Sequence, residues 1–166
     1  MKRRTFESLR LGVEAALAAS IPQVLLPKLE EKLLLAPGES ADVGPRFVER
    51  LAAMAGRRLP EDVKWLAASA FHFGYAALWG ALYALAWERR PVSPALGGTA
   101  LAGLIYAITF TPWGGAVRTG TEAPPGRRSA RHELVLATAP LVFGVVTALI
   151  YGRGPRPRRR RWPATG

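Results

Sequence analysis

Long segments without a charged side chain constrain this chain more than any other feature of its sequence. The clearest runs from Trp65 to Trp87, between Lys64 and Glu88. At about 1.5 Å per residue a helix over this segment is about 34 Å long, enough to cross a hydrocarbon core of about 30 Å. Tryptophans at both ends are typical of membrane–water boundaries. The pattern predicts a transmembrane helix over about 62–88, and a buried helix of a soluble protein is the alternative.

Two later segments also lack charge, from Val92 to Val117 and from Leu134 to Tyr151. They predict transmembrane helices over about 94–112 and 132–151. Pro140 lies inside the last one, where it removes a backbone hydrogen bond and kinks the helix, as membrane helices tolerate.

A fourth segment, from Leu11 to Pro27, is apolar apart from Glu14, Ser20 and Gln23. It predicts a helix over about 9–30. A signal peptide is the alternative, because basic residues precede the segment and small residues at 16–20 resemble a cleavage site. The acid inside the segment and the apolar residues that continue beyond Ser20 favour a retained helix.

We therefore expect an all-α integral membrane protein, with four transmembrane helices in a compact bundle and one short amphipathic interfacial helix. The amphipathic helix is predicted over about 43–56, where Phe47, Leu51 and Met54 share a face. It lies on the membrane or the bundle, and docking to a partner is the alternative. Residues 1–151 form one domain, residues 152–166 form a flexible basic tail, and residues 118–131 read as a polar, flexible loop.

Charge predicts the orientation. Four spans place both termini on one side, and the short segments on that side are rich in arginine, which favours cytoplasmic termini in a bacterial inner membrane. The tail contains Arg156, Arg158, Arg159, Arg160 and Arg161. We expect these side chains to contact anionic lipid headgroups, and we expect no nucleic-acid partner, although such runs occur in nucleic-acid-binding proteins.

The composition excludes several classes of protein. The 166 residues include no Cys, which excludes disulfide scaffolds, Cys-ligated metals and thiol catalysis, and 49% are hydrophobic, which excludes overall disorder. The chain has no phosphate-binding loop, no HExxH motif and no nucleophile elbow. We therefore expect no cofactor, no metal and no enzymatic activity.

Small residues recur every four positions in the predicted spans, a spacing that lets membrane helices approach closely. This pattern predicts close packing within the bundle, in a homo-oligomer or against another membrane protein. The residues are Ala76, Gly80, Ala84, Thr99, Gly103, Ala107, Gly144 and Ala148.

Glu14 and His72 are the ionisable residues that lie well inside predicted spans. Such groups are costly in a membrane unless they are paired or hydrated. A buried Glu14–His72 pair is one interpretation. For His72 a structural hydrogen bond is the leading interpretation, ahead of proton transport and a metal site. Arg131, His132 and Glu133 read as an interfacial anchor for the last helix.

The segment Phe71-His-Phe-Gly-Tyr-Ala-Ala-Leu-Trp-Gly-Ala-Leu-Tyr83 resembles a central helix of the YagU-like family of small bacterial inner-membrane proteins. The resemblance extends to 45–51 and to 140–151. It implies about four helices in an inner membrane and no established activity beyond a loose link to acid tolerance. Pro140 stands where relatives often have a histidine, so a histidine pair between the second and fourth helices is not possible here.

Three functions follow as expectations. The first is a non-enzymatic packing or accessory membrane protein. The second is a small oligomeric transporter or proton-conducting protein that uses Glu14 and His72. The third is a membrane enzyme acting on lipid, with His72 or His132 as its base, which requires a cleft that holds His132, Glu133 and another ionisable group.

Overall fold

A computed structural model describes residues 2–36, 39–89 and 92–154, and all secondary structure in these ranges is helical. The all-helical expectation is thus confirmed. The Arg156 to Arg161 tail lies outside the described residues, and α1 extends beyond the expected 9–30 at both ends. The helices are α1 (Lys2–Leu34), α2 (Val43–Met54), α3 (Glu61–Arg89), α4 (Pro94–Phe110), α5 (Gly115–Arg118) and α6 (Ala130–Arg153).

Three segments are long and apolar enough to cross a membrane: Thr5–Leu34, Pro94–Arg118 and Ala130–Arg153. Membrane helices are therefore supported for three of the four expected segments. The described part of α3 is not among them, although the sequence presented it as the clearest span. Its length suffices, but its His, Trp, Tyr, Ser and Gly residues lower the mean hydropathy.

The four long helices are arranged in the order α3, α1, α6, α4. Helix α1 packs along both α3 and α6, and α4 packs along the other side of α6. At one end, which we call the terminal end, Ser8 of α1 shares a hydrogen bond of 2.5 Å with Tyr151 of α6. The opposite end, which we call the loop end, carries α2, α5 and the connections α1–α2, α2–α3 and α5–α6.

Glycines set the two closest helix crossings. Gly12 of α1 lies against Gly80 of α3, and a Cβ added at Gly12 would lie 2.7 Å from the Cβ of Ala84. Gly98 of α4 lies against Gly144 of α6, where an added Cβ would lie 2.7 Å from the Gly144 carbonyl oxygen. Backbones at this separation leave no room for a side chain, so each pair of helices touches through backbone atoms.

Most of the expected small-residue set lies at these crossings or in the core. Ala76 and Ala84 of α3 and Ala148 of α6 are buried.

The face of α4 that packs within the bundle differs from the expected one. Thr99 and Gly103 are exposed, Ala107 is half-buried, and an added Cβ at Gly103 would meet nothing. The face that packs on α6 contains Gly98 and Ala102, one residue earlier. Both faces of α4 carry small residues at the same spacing, so the spacing alone does not show which face packs on α6.

The connection after α5 also differs from expectation. We expected residues 118–131 to form a flexible loop, but Thr121 and Glu122 within it are buried. The backbone N–H of Glu122 donates to the Ala116 carbonyl oxygen at 2.9 Å, which turns the chain back onto α5. Ser129 then caps α6 by accepting from the His132 N–H. The loop is therefore folded onto the loop end of the bundle.

Candidate functional site

The side of the bundle between α3 and α4, which we call the seam, is open. These two helices make almost no backbone contact in the described residues, whereas every other adjacent pair of long helices packs closely. An aromatic ladder from α3 fills the seam instead, with one ring per helical turn. Its members are Tyr75, Trp79, Tyr83 and Trp87.

Two cavities lie along the seam, one towards each end. The loop-end cavity has a volume of about 310 Å³. Its deep wall contains Ile105 of α4 and Ala139 and Pro140 of α6. α2 and the segment before it cover part of the cavity, through Ala41, Asp42 and Phe47. This size and largely apolar lining are typical of sites for small molecules.

His72 lines the loop-end cavity and is half-buried. Its Nε2 atom is buried and has no hydrogen-bond partner among the described residues. The structural hydrogen bond that the sequence favoured is therefore not formed at this atom. A buried imidazole nitrogen without a partner costs about 1–3 kcal/mol, so a ligand that bonds to it recovers that loss.

Several other polar groups of this cavity are paired. The Tyr75 and Thr109 hydroxyls share a hydrogen bond of 3.2 Å that connects α3 to α4. At the rim, Lys28 Nζ lies 2.7 Å from Asp42 Oδ2 and joins α1 to the start of α2. The Phe47 ring of α2 packs on Phe71 of α3, with centroids 5.1 Å apart. Among the described residues that line this cavity, His72 Nε2 is the buried side-chain atom without a hydrogen-bond partner.

Glu14 does not belong to this site. Its side chain is 57% exposed on the outer face of α1, and its Oε1 lies 3.3 Å from Arg10 Nε, one turn earlier. It lines neither cavity. The buried Glu14–His72 pair is therefore wrong, since an acid on a helix can pair along its own outer face.

Glu122 organises a buried ion-pair network at the loop end. Its side chain is 3% exposed and pairs with Arg46 of α2. Its second oxygen lies 3.2 Å from His132 Nε2 at the start of α6. Arg46 also donates to the Ser40 carbonyl oxygen at 3.0 Å. One carboxylate thus joins α2, the folded loop and α6.

Arg128 centres a second network in the same loop. Its guanidinium donates to the carbonyl oxygens of Ala123 and Phe110, both at 2.6 Å. Its Nη1 lies 3.0 Å from Glu133 Oε2, and Glu133 also accepts a hydrogen bond from Tyr106 of α4. The side chain is 2% exposed, so these bonds replace its hydration and hold the loop against α4 and α6.

These networks bear on the third expected function. His132 and Glu133 lie beside further ionisable groups, but they line neither of the two cavities. No group of three or more His, Asp or Glu side chains in the described ranges has metal-binding geometry. The arrangement pairs its charges internally, which suits a structural connection between elements better than acid–base work on a substrate.

Sequence reasoning missed two parts of this site. The aromatic ladder had a readable signal, because its four rings are spaced by four residues and so share one face of α3. The Arg46–Glu122 pair had no readable signal in the sequence, since 76 positions separate its members.

Comparison of this chain with family models, curated proteins and solved structures found no match. The resemblance to the YagU-like family therefore stays a prediction, and the proposals below depend on the geometry of the chain itself.

Proposed function

We propose that this chain is a four-span protein of the bacterial inner membrane that acts without catalysis. In this proposal it is a packing or accessory protein whose bundle also holds a small apolar molecule in the loop-end cavity. Both termini lie in the cytoplasm. The observation that carries the ligand part is a cavity of about 310 Å³ with a mostly apolar lining and one free imidazole nitrogen.

The outer surface of the long helices supports insertion into a membrane. Ile21, Leu25 and Leu29 of α1 are more than half exposed, and so are Leu66 and Leu78 of α3. An apolar patch of this extent is costly in water and is matched by lipid. Exposed apolar side chains also occur along α4 and α6, including Leu96, Leu104, Leu134 and Leu149.

Packing supports α3 as the fourth span. The helix has 29 residues, so it is about 44 Å long at 1.5 Å per residue, more than a hydrocarbon core requires. Its Gly80 lies against Gly12 of α1, within the Thr5–Leu34 segment that is apolar enough to span. If α1 crosses the bilayer, this contact supports a position of α3 at the same depth.

The geometry does not favour the alternative of proton conduction through Glu14 and His72. Glu14 faces outward with Arg10, whereas His72 faces the loop-end cavity. A relay needs groups within hydrogen-bond reach of each other or of bridging water.

Binding of 1-aminoanthracene, a fluorescent apolar amine, tests the ligand proposal in lipid nanodiscs, with empty nanodiscs as background. We expect saturable binding to the wild type. Ala139→Phe fills the cavity from α6 and lowers the affinity at least tenfold, whereas Ala70→Phe, on the exposed face of α3, leaves it unchanged.

His72→Phe keeps a ring of similar size and removes the free nitrogen, so we expect it to weaken binding about tenfold. Equal affinity in the wild type and the Ala139→Phe variant contradicts the proposal.

A further inference from the structure

The second cavity of the seam plays no part in the function proposed above. It lies at the terminal end, between the second half of α3 and the first half of α4, and has a volume of about 620 Å³. Trp79, Tyr83 and Trp87 line it from α3, and Gly97 and Leu101 line it from α4. The lining is largely apolar, so the cavity does not suit a charged ligand.

Two hydrogen-bond donors in this lining have no acceptor. The Trp79 indole N–H and the Tyr83 hydroxyl are buried and unpartnered among the described residues. Each side chain belongs to a residue that is 6% exposed, so bulk water does not satisfy it. An unsatisfied buried donor costs about 1–3 kcal/mol. Two such donors one helical turn apart are available to an acceptor on a bound molecule.

The Tyr83 hydroxyl is held in a defined place. Its ring packs against Trp87 and Tyr151, with centroids 5.6 Å away in each case. A Cβ added at Gly97 would lie 2.9 Å from the hydroxyl oxygen. The glycine thus gives the hydroxyl room beside α4, and the surrounding rings restrict its rotation.

We propose that the terminal-end cavity binds an apolar, membrane-soluble molecule through carbonyl oxygens that accept hydrogen bonds from Trp79 Nε1 and Tyr83 Oη. An indole N–H only donates, so the partner group must be an acceptor. Leu82 and Leu104 line the same cavity and are 43% and 50% exposed, so it opens towards the outer surface of the bundle. Under the proposed membrane insertion, that surface faces lipid.

Two kinds of molecule supply such carbonyl oxygens, a quinone and a phospholipid with ester groups. Quenching of tryptophan fluorescence by decylubiquinone tests the site in nanodiscs of ether-linked phosphatidylcholine, which contains no ester carbonyl. We expect saturable quenching in the wild type and an affinity about tenfold lower in Tyr83→Phe, which loses one hydrogen bond. Tyr75→Phe removes a hydroxyl from the other cavity and is the matched control.

A second pair of variants keeps the test decisive if Tyr83→Phe does not fold. Ala100→Phe fills the cavity from α4 without touching either donor, and exposed Thr99 beside it does not line the cavity. We expect Ala100→Phe to abolish saturable binding and Thr99→Phe to leave it intact.

Nanodiscs of ester-linked lipid identify the source. An ester lipid that occupies the site competes with decylubiquinone, so the quinone binds more weakly there than in ether-linked lipid. If the ester lipid occupies the site, it is also retained by the wild type and lost from Tyr83→Phe in native mass spectrometry. Equal quinone affinity in both lipids identifies a quinone-type ligand.

The proposal is overturned if neither decylubiquinone nor ester lipid distinguishes Tyr83→Phe from Tyr75→Phe, or Ala100→Phe from Thr99→Phe. Because Tyr83→Phe, Ala100→Phe and Thr99→Phe lie outside the loop-end cavity, this failure is separate from a failure of 1-aminoanthracene binding. Membrane insertion itself is tested by cysteine labelling of the loops.

Discussion

Glu122 shows how much one buried side chain contributes at the loop end. Its two carboxylate oxygens pair with Arg46 of α2 and His132 of α6, and its side chain is 3% exposed. Arg46 is 41% exposed, so water partly screens that pair. Removal of the acid leaves two cationic or polar groups facing a site that was closed around a carboxylate.

We therefore predict that Glu122→Ala destabilises the protein by about 1–3 kcal/mol. The midpoint of thermal unfolding in detergent falls by several degrees, and proteolysis of the 119–129 loop becomes faster. Glu61→Ala is the control, because Glu61 pairs with Lys64 on an exposed turn of α3. A Glu122→Ala midpoint equal to that of Glu61→Ala would show that the network does not stabilise the loop end.

At this scale the sequence shows which residues are unusual but not which way they face. It identified Glu14 as an acid in an apolar segment, yet the outward direction of that acid depends on how α1 packs. Arg10, one turn earlier, was the local signal for a surface pair. His72 stays a predicted intramembrane polar candidate, and its unpaired nitrogen depends on α2, α4 and α6 around it.

At the scale of helices, glycine positions decide which faces touch. Gly80 and Gly98 lie against backbone atoms of a neighbouring helix, while added Cβ atoms at Gly74 and Gly103 would meet nothing. The chain thus contains matched pairs of glycines, one packed and one open, within α3 and within α4.

We predict that Gly80→Ala and Gly98→Ala each destabilise the bundle by about 1–3 kcal/mol, because the new methyl group forces the helices apart. Gly74→Ala and Gly103→Ala are neutral or stabilising by up to about 1 kcal/mol, since alanine favours helix. Chemical denaturation in mixed micelles measures all four. A loss in Gly103→Ala as large as that in Gly98→Ala would indicate that the Thr99–Gly103–Ala107 face is packed after all.

The helices themselves could be predicted because charge-free runs and their ends are local features of the sequence. The α4 packing face could not, since Thr99/Gly103 and Gly98/Ala102 are equally plausible small-residue registers. The choice between them depends on where Gly144 of α6 lies. The folded loop was missed for the same reason, because Glu122 finds its partner on α2, far away in the chain.

For the whole molecule, the arrangement leaves one side of a four-helix bundle open. Close glycine crossings bind α1 to α3 and α4 to α6, and α1 also packs along α6. The α3–α4 side is filled by aromatic rings and holds both cavities. This arrangement is the basis of the proposal that small apolar molecules bind along the seam.

In the proposed arrangement this bundle crosses the membrane four times, with α3 as one of the spans. Because the chain contains no cysteine, single cysteines report one position each. Arg57 precedes α3, Val92 follows it, and Ala123 lies in the loop between α5 and α6; all three are exposed.

The measurement is labelling of Arg57→Cys, Val92→Cys and Ala123→Cys in intact bacterial cells with a membrane-impermeant maleimide, before and after permeabilisation. We predict that positions 57 and 123 react in intact cells and that position 92 reacts only after permeabilisation. Reaction of positions 57 and 92 from the same side would mean that α3 does not cross the bilayer and would contradict the four-span account.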